Sequence, residues 1–325
     1  MIQTLKEKVI SGHFISKYEA ISLSNIEGTN LEELLNAANE IREFYLGNQV
    51  DLCTIMNAKS GSCSENCKFC AQSGHYNTDV EQYPLVDADT ALSQAKKVEQ
   101  QGAHRFSLVT SGKGIGDRDF TQILGVYKIL KDNTSIQLCS SLGIISFDKA
   151  KSLREIGVTT YHHNLETSRH FYPFICTTHS YDDRIKTIKQ AQNAGLNICS
   201  GGIIGMGETM EDRIDMALDL QQLNVKSVPI NILTPIPGTP LGNTPPLETS
   251  EILKTIAIFR FILPTAHIRL AGGRKLLGMN QAKGFQSGAS AALVGDYLTT
   301  VGNKITDDIK MLKQMGYEVT RELVV

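Results

Sequence analysis

The chain contains no tryptophan and only 6% aromatic residues, so its core has to be packed by aliphatic side chains. It also lacks an excess of either charge. Across 325 residues, 32 Lys+Arg stand against 34 Asp+Glu for a net charge of -2, with no clustered basic face, which excludes the electrostatic footprint of a nucleic-acid binder. No stretch approaches the roughly 18 consecutive apolar residues of a membrane span. The opening MIQTLKEKVISGHFISKYEA carries charges where a signal peptide needs an apolar core, so the expected compartment is the cytoplasm. Proline is scarce, and five of the nine prolines crowd into ILTPIPGTPLGNTPPLETS, read as an ordered non-helical connection because the strand and helix pattern resumes after it. What the chain does have is seven cysteines. Disulfides are rare in the cytoplasm, which leaves packed thiols, metal ligands or catalysts.

Residues 1–49 show no strand signal, and LEELLNAANEIREFY (31–45) places apolar residues at helical spacing, which predicts a helical N-terminal extension. From about residue 51, short apolar runs alternate with amphipathic stretches, many of which stop at a glycine. Helices predicted over 87–101, 148–156 and 182–194 end at Gly102, Gly157 and Gly195, each followed by a strand-like run. Strands are predicted near 51–56, 105–110, 136–140, 158–163, 197–201, 227–232, 267–270 and 290–294. Eight strands separated by helices favour a parallel sheet, and eight is the number that closes a barrel. The expected fold is α/β, a (β/α)8 TIM-type barrel over 50–325 ending in a C-terminal helix, preceded by the helical extension 1–49.

Cys63, Cys67 and Cys70 form C-x3-C-x2-C in the loop that opens from the first strand, and in barrels the loops after the strands form the active face. Three soft thiolates so close in sequence suit an iron-sulfur cluster. A four-iron cluster takes four ligands, so three cysteines leave one iron open to a substrate or cofactor. A structural zinc would instead want a closed fourth position, and no second knuckle or close Cys/His pair is expected to complete one. Reduced thiols without a ligand role are the other reading.

This loop, with Phe69 before the third cysteine, resembles the radical S-adenosylmethionine (SAM) superfamily. The resemblance implies that the open iron of a 4Fe-4S cluster chelates SAM. One-electron reduction would then release a 5'-deoxyadenosyl radical that abstracts hydrogen from unactivated carbon. Seven segments in order, MNAKSGSCSENCKFCAQS, YHHNLETS, TTHSYDDR, CSGGIIGMGET, SVPINIL, IRLAGGR and GDYLTT, further resemble the biotin synthase family over roughly residues 30–317. That resemblance implies sulfur insertion into dethiobiotin, with sulfur donated by an auxiliary iron-sulfur cluster inside the barrel, of the 2Fe-2S type or larger.

Residue by residue, the resemblance implies that Phe69, His163, Glu166 and Arg184 bind SAM, with Glu166 on the ribose and Arg184 on the carboxylate. Arg184 reads almost as well as a solvated helix-face arginine, and His163 as a buried, hydrogen-bonded imidazole without acid-base work. Asn164 and Asn231 would bind the ureido ring, since one amide answers both N–H donors and a C=O acceptor; otherwise they cap strand ends. Cys139 and Cys199 would hold the auxiliary cluster with Arg269 beside it. On their own terms both are ordinary buried thiols, and Arg269 an ordinary barrel arginine paired with a carboxylate.

The chain departs from the family pattern at Ser107, where the second strand usually carries a cysteine; serine is a harder and poorer iron ligand. Cys53, on the neighbouring first strand, is expected to replace it and to change the cluster type. Cys176 has no matched role and reads as a loop thiol near the active face, and His162 has none either. SGGIIGMGET does not fit the spacing of a dinucleotide fingerprint, and its glycines are expected to let backbone approach SAM. The resemblance also implies a homodimer and a small electron-transfer partner of flavodoxin or ferredoxin type. The alternatives are a related radical SAM enzyme such as a metal-cofactor maturase, or a non-catalytic zinc protein.

Overall fold

A computed structural model describes residues 1–299 and 302–319, so Thr300, the last residue of GDYLTT, and the end of the expected 50–325 unit lie outside the described residues. Its centre is a closed ring of parallel strands. β1 (Asp51–Lys59), β2 (Arg105–Thr110), β3 (Gln137–Ser141) and β4 (Val158–His162) follow one another, and the fifth barrel strand is split into β5 (Asn197–Cys199) and β6 (Gly202–Ile204). β7 (Ser227–Ile232), β8 (His267–Leu270) and β9 (Ala291–Leu293) complete the ring; β9 pairs with β1, and β7 pairs with both halves of the fifth strand. Eight strand positions closed in parallel are the expected (β/α)8 barrel.

The helices start and stop where local chemistry says they should. Asp87, Ser146, Ser180 and Thr209 accept hydrogen bonds from backbone N–H groups three residues on, satisfying donors that the first turn leaves unpaired. The helices Ala88–Gln100, Phe147–Ile156 and Tyr181–Asn193 are followed by Gly102, Gly157 and Gly195 with φ of 96°, 108° and 82°, the left-handed region that reverses the chain into the next strand. Ahead of β1, the helices Ile2–Ile10, Lys17–Ser24 and Thr29–Leu46 bury Leu5, Leu23, Leu34 and Ile41 in the same apolar core as the barrel.

The break in the fifth strand coincides with two close backbone approaches. A Cβ on Gly201 would lie 1.9 Å from the Pro229 carbonyl oxygen, and one on Gly202 would lie 2.4 Å from that of Glu166. At these two glycines the missing side chain admits a close approach of protein backbone. The proline-rich connection is neither helix nor strand over 233–248. At its Gly238 a Cβ would meet the Asn77 carbonyl oxygen at 2.0 Å, so the connection lies directly on the end of the cysteine loop.

Asp51 ties the barrel together low in its interior. It is 2% exposed, its carboxylate 2.5 Å from Arg269 Nη2 and 3.1 Å from Arg105 Nε, so one anion joins β1, β2 and β8. Burial pushes the Asp51 carboxyl up, but Arg269, His104 and Arg105 outweigh it and hold the group well below the usual carboxylate range. Its contribution to stability is therefore complete above the unfolded-state value of about 3.9 and is lost as pH falls through the lower folded value. Asp51→Asn should cost roughly 3–5 kcal/mol at neutral pH by leaving buried cations uncompensated. Urea denaturation at pH 7 measures this, and the gap between variant and parent should close in strong acid.

Candidate active site

β1 runs three residues past its predicted end, to Lys59, and delivers the cysteine loop to the barrel mouth. The loop is closed by its own backbone: Cys63 N–H donates to Gln72 O at 2.9 Å, Gly74 N–H to Cys63 O at 2.7 Å, and Cys70 N–H to Cys67 O at 3.0 Å. Cys63, Cys67 and Cys70 line one cavity of ≈ 270 Å³ with His163, Glu166 and Arg184. A second cavity of ≈ 280 Å³ is lined by Ile55, Ile203, Leu293, Asn164 and Asn231, and it shares Phe69, Cys70, Asn164 and Glu166 with the first. The two chambers thus meet at the third cysteine.

Glu166 stands at this junction with φ 72°, a left-handed conformation that a non-glycine residue holds only when its surroundings dictate it. Its backbone accepts from Ile203 N–H at 2.8 Å and donates to Gly201 O at 3.1 Å, which fixes the side chain between the chambers. Burial pushes its carboxyl up, opposed by Arg184, whose Nη1 lies 3.5 Å away. Arg184 is buried, so the solvated reading fails. Its guanidinium donates to Tyr172 Oη at 2.7 Å, Asn164 O at 2.8 Å and His179 Nε2 at 2.9 Å, leaving part of its five-donor fork for a ligand.

His163 is buried and its ring packs against Tyr161 at 6.3 Å. Burial drives its pKa well below the ordinary histidine value, so the ring is neutral. Its Nε2 has no hydrogen-bond partner among the described residues. The asparagines hold backbone groups at the strand ends, one of the two readings considered for them, and keep polar groups to spare. Asn164 accepts from Gly201 N–H at 3.2 Å and donates to Glu166 at 3.3 Å; Asn231 accepts from Gly272 N–H at 2.9 Å and donates to Gly202 O at 3.1 Å. Each keeps one amide hydrogen and one lone pair, and both line the second chamber.

Inside the barrel, Cys53, Cys139 and Cys199 are buried, each within electrostatic reach of the other two. Cys199 also accepts from Ser227 Oγ at 3.3 Å. The register refines the expected exchange of Cys53 for residue 107. Ser107 lies beside Ile55 and Cys139, whereas Cys53 lies beside Arg105, two residues lower on β1, and it reaches Cys139 from that level. Ser107 Oγ and Arg269 Nε are buried polar atoms without partners among the described residues, and folded interiors rarely leave such atoms unpaired. His162, beside Cys199 in the register, turns toward the same interior, with Arg269, Arg105 and Asp51 as charged neighbours and Cys53 close by.

Three thiols with orphaned donors around them fit a bound iron-sulfur group. Among the described residues the ligand atoms that lie within 4.8 Å of one another are those of Cys67, Cys176 and His179. The loop trio and the interior trio are each more widely spread, as a cluster with several irons between its thiolates requires and a single ion does not.

Cys176 and His179 are the residues that sequence reasoning missed. Cys176 is buried with its Sγ 3.6 Å from that of Cys67 and 3.4 Å from His179 Nδ1; His179 in turn is 2.6 Å from Glu65 in the cysteine loop. The C-x2-H spacing at 176–179 is the signal that could have found them, and it corrects the expectation of no close Cys/His pair.

Residues 59–220 match the family model described as Radical SAM superfamily, and residues 229–318 match the Biotin and Thiamin Synthesis associated domain. The biotin synthase of Acetivibrio thermocellus is 56% identical over 315 residues, covering 97% of this chain and 98% of that protein. The chain belongs to the biotin synthase family. The biotin synthase of Clostridioides difficile is 55% identical over 318 residues, with 97% and 98% covered. Among solved structures, methylornithine synthase superposes with a TM-score of 0.85 at 22% identity, covering 97% of each chain. The FeFe-hydrogenase maturase from Carboxydothermus hydrogenoformans superposes at 0.84 and 16% identity, covering 99% of this chain and 80% of that one. At such identities these two show the shared barrel alone, so the maturase likeness is one of fold. As a biotin synthase family member the chain is a radical SAM enzyme, and its cofactors are a 4Fe-4S cluster, SAM and an auxiliary iron-sulfur cluster. Among the described residues no helix is long and apolar enough to cross a membrane.

Proposed function

We propose that this chain converts dethiobiotin to biotin by inserting sulfur between two saturated carbons, and that the residues assigned from the sequence divide that work between the two chambers. The observation that carries the reading is the shared wall: Cys70 and Glu166 face both cavities, and Asn164 and Asn231 face the second, so a substrate held by the asparagines abuts a nucleotide held by the loop. When bound, the loop cluster supplies the electron that cleaves SAM and the auxiliary cluster supplies the sulfur.

The remaining work belongs to side chains. Cys63, Cys67 and Cys70 hold the loop cluster, and Phe69, His163, Glu166 and Arg184 form the SAM wall. The spare amide hydrogen and lone pair of Asn164 and Asn231 orient a ureido ring. Ile55, Ile203 and Leu293 give the aliphatic carbons a dry wall, which protects a carbon radical from water. Cys53, Cys139 and Cys199, with Arg269, hold the auxiliary cluster. We read residues 50–325 as the catalytic unit, working in the cytoplasm as a homodimer and reduced by a small protein of flavodoxin or ferredoxin type.

Anaerobic incubation of the reconstituted protein with SAM, a reductant and dethiobiotin tests this, and biotin is the expected product. Release of 5'-deoxyadenosine without any biotin would remove the substrate assignment while keeping the radical chemistry.

A further inference from the structure

Cys176 lies outside every role assigned so far. It sits directly after the short helix Tyr172–Ile175, and the backbone holds it against the cysteine loop: Lys68 N–H donates to Ile175 O at 2.9 Å, and Thr177 N–H donates to Asn66 Oδ1 at 3.0 Å. Its Sγ is 3.6 Å from Cys67 Sγ, 3.6 Å from Thr178 Oγ1 and 3.4 Å from His179 Nδ1, and the residue is 4% exposed.

Two thiols and an imidazole at this spacing resemble a single-ion site, but the imidazole is already committed. Its Nδ1 is 2.6 Å from the Glu65 carboxylate, an acceptor, and its Nε2 is 2.9 Å from Arg184 Nη2, a donor. Both ring nitrogens are thereby satisfied in the neutral ring, and a guanidinium stands where a cation's charge would fall. The group is therefore better suited to support a metal ligand than to bind a second metal.

We propose that Cys176 is a positioning residue for the loop cluster, donating its S–H hydrogen bond to the iron-bound sulfur of Cys67 and thereby raising the cluster's reduction potential. The proposal rests on the reading of Cys67 as a cluster ligand. An iron-bound Cys67 is a thiolate with no proton to give, so in the loaded enzyme the hydrogen between the two sulfurs belongs to Cys176. Thr178 Oγ1, 3.6 Å from the same sulfur, donates to it and so fixes the direction of that thiol. A hydrogen bond to a ligand sulfur favours the reduced state, which carries one more negative charge, and such bonds are among the levers that set cluster potentials.

The test is an anaerobic redox titration of the holoenzyme, following the paramagnetic signal of the reduced cluster that changes when SAM is added. Cys176→Ala should lower the reduced-to-oxidised ratio at a fixed potential roughly three- to tenfold, up to about 59 mV for a one-electron couple. Cys176→Ser, which keeps a donor, should fall between the two. An unchanged potential in Cys176→Ala would overturn the proposal, as would loss of iron and sulfide from both variants alike, which would make Cys176 a ligand. Cys67→Ala should lose the SAM-responsive signal altogether; a signal that survived there would reject the underlying ligand reading instead.

Discussion

Cys70→Ala should purify as a folded protein that has lost the iron of its loop cluster and releases no 5'-deoxyadenosine, a fall of at least about 10³-fold, the scale on which removal of a group essential to a catalytic unit acts. Cys70 is the right position for this test because it is the one loop cysteine that faces both chambers. Burial pushes its pKa up to about 11, outweighing the backbone N–H groups of Gln72 and Ser73 that favour its thiolate, so without iron it stands as a neutral thiol and metal binding offsets the remaining cost of a thiolate there. The apolar core does not depend on it, so circular dichroism and the urea midpoint should match the parent. Iron and sulfide analysis together with SAM cleavage measures the outcome. A variant that still cleaves SAM at more than a few per cent of the parental rate would show that the loop is not the radical-generating centre.

Cys53→Ala should produce the complementary defect. SAM cleavage should continue within about twofold, because Cys53 lies low on β1, away from the loop, and distant sites act independently. Biotin formation should fall by at least about 100-fold, since loss of even an outer-shell partner costs 10–100-fold in metal affinity. The expectation follows from the register. Ser107 occupies the level of Cys139 with an unpartnered hydroxyl, and Cys53 supplies the thiol that reaches Cys139 from below. Mössbauer spectra before and after the substitution, with biotin measured in parallel, decide the matter. If a normal two-iron auxiliary cluster survives in Cys53→Ala, Cys53 is a packing residue and the ligand set lies elsewhere.

Both outcomes concern residues that the sequence singled out, but with different degrees of definition. The loop cysteines were legible because their spacing is local: C-x3-C-x2-C after a strand brings three thiols together whatever the rest of the fold does. Cys139 and Cys199 were legible only through family resemblance, since a cysteine in an apolar strand looks the same whether it packs or ligates. Cys176 was passed over because its partner, Cys67, is 109 positions away, and no periodicity connects a short helix after β4 with a loop after β1. Arg184 was left between two readings for a similar reason: the helix pattern gives its face, but only the packed structure puts Tyr172, His179 and the Asn164 carbonyl around it.

By itself the sequence determined the barrel, its helical extension and the cluster loop. Strand runs, helical spacing, capping side chains and glycine stops act over a few residues and are written in contiguous chain. It could not determine which side chains meet across the barrel. Asp51 finds Arg269 218 positions away, the fifth strand breaks where Gly201 meets Pro229, and Cys53 reaches Cys139 from a lower level, all through closure of the ring and its stagger. The tertiary structure decided these contacts because alternation along a strand tells which residues point inward, while only the register of the closed barrel tells what they face.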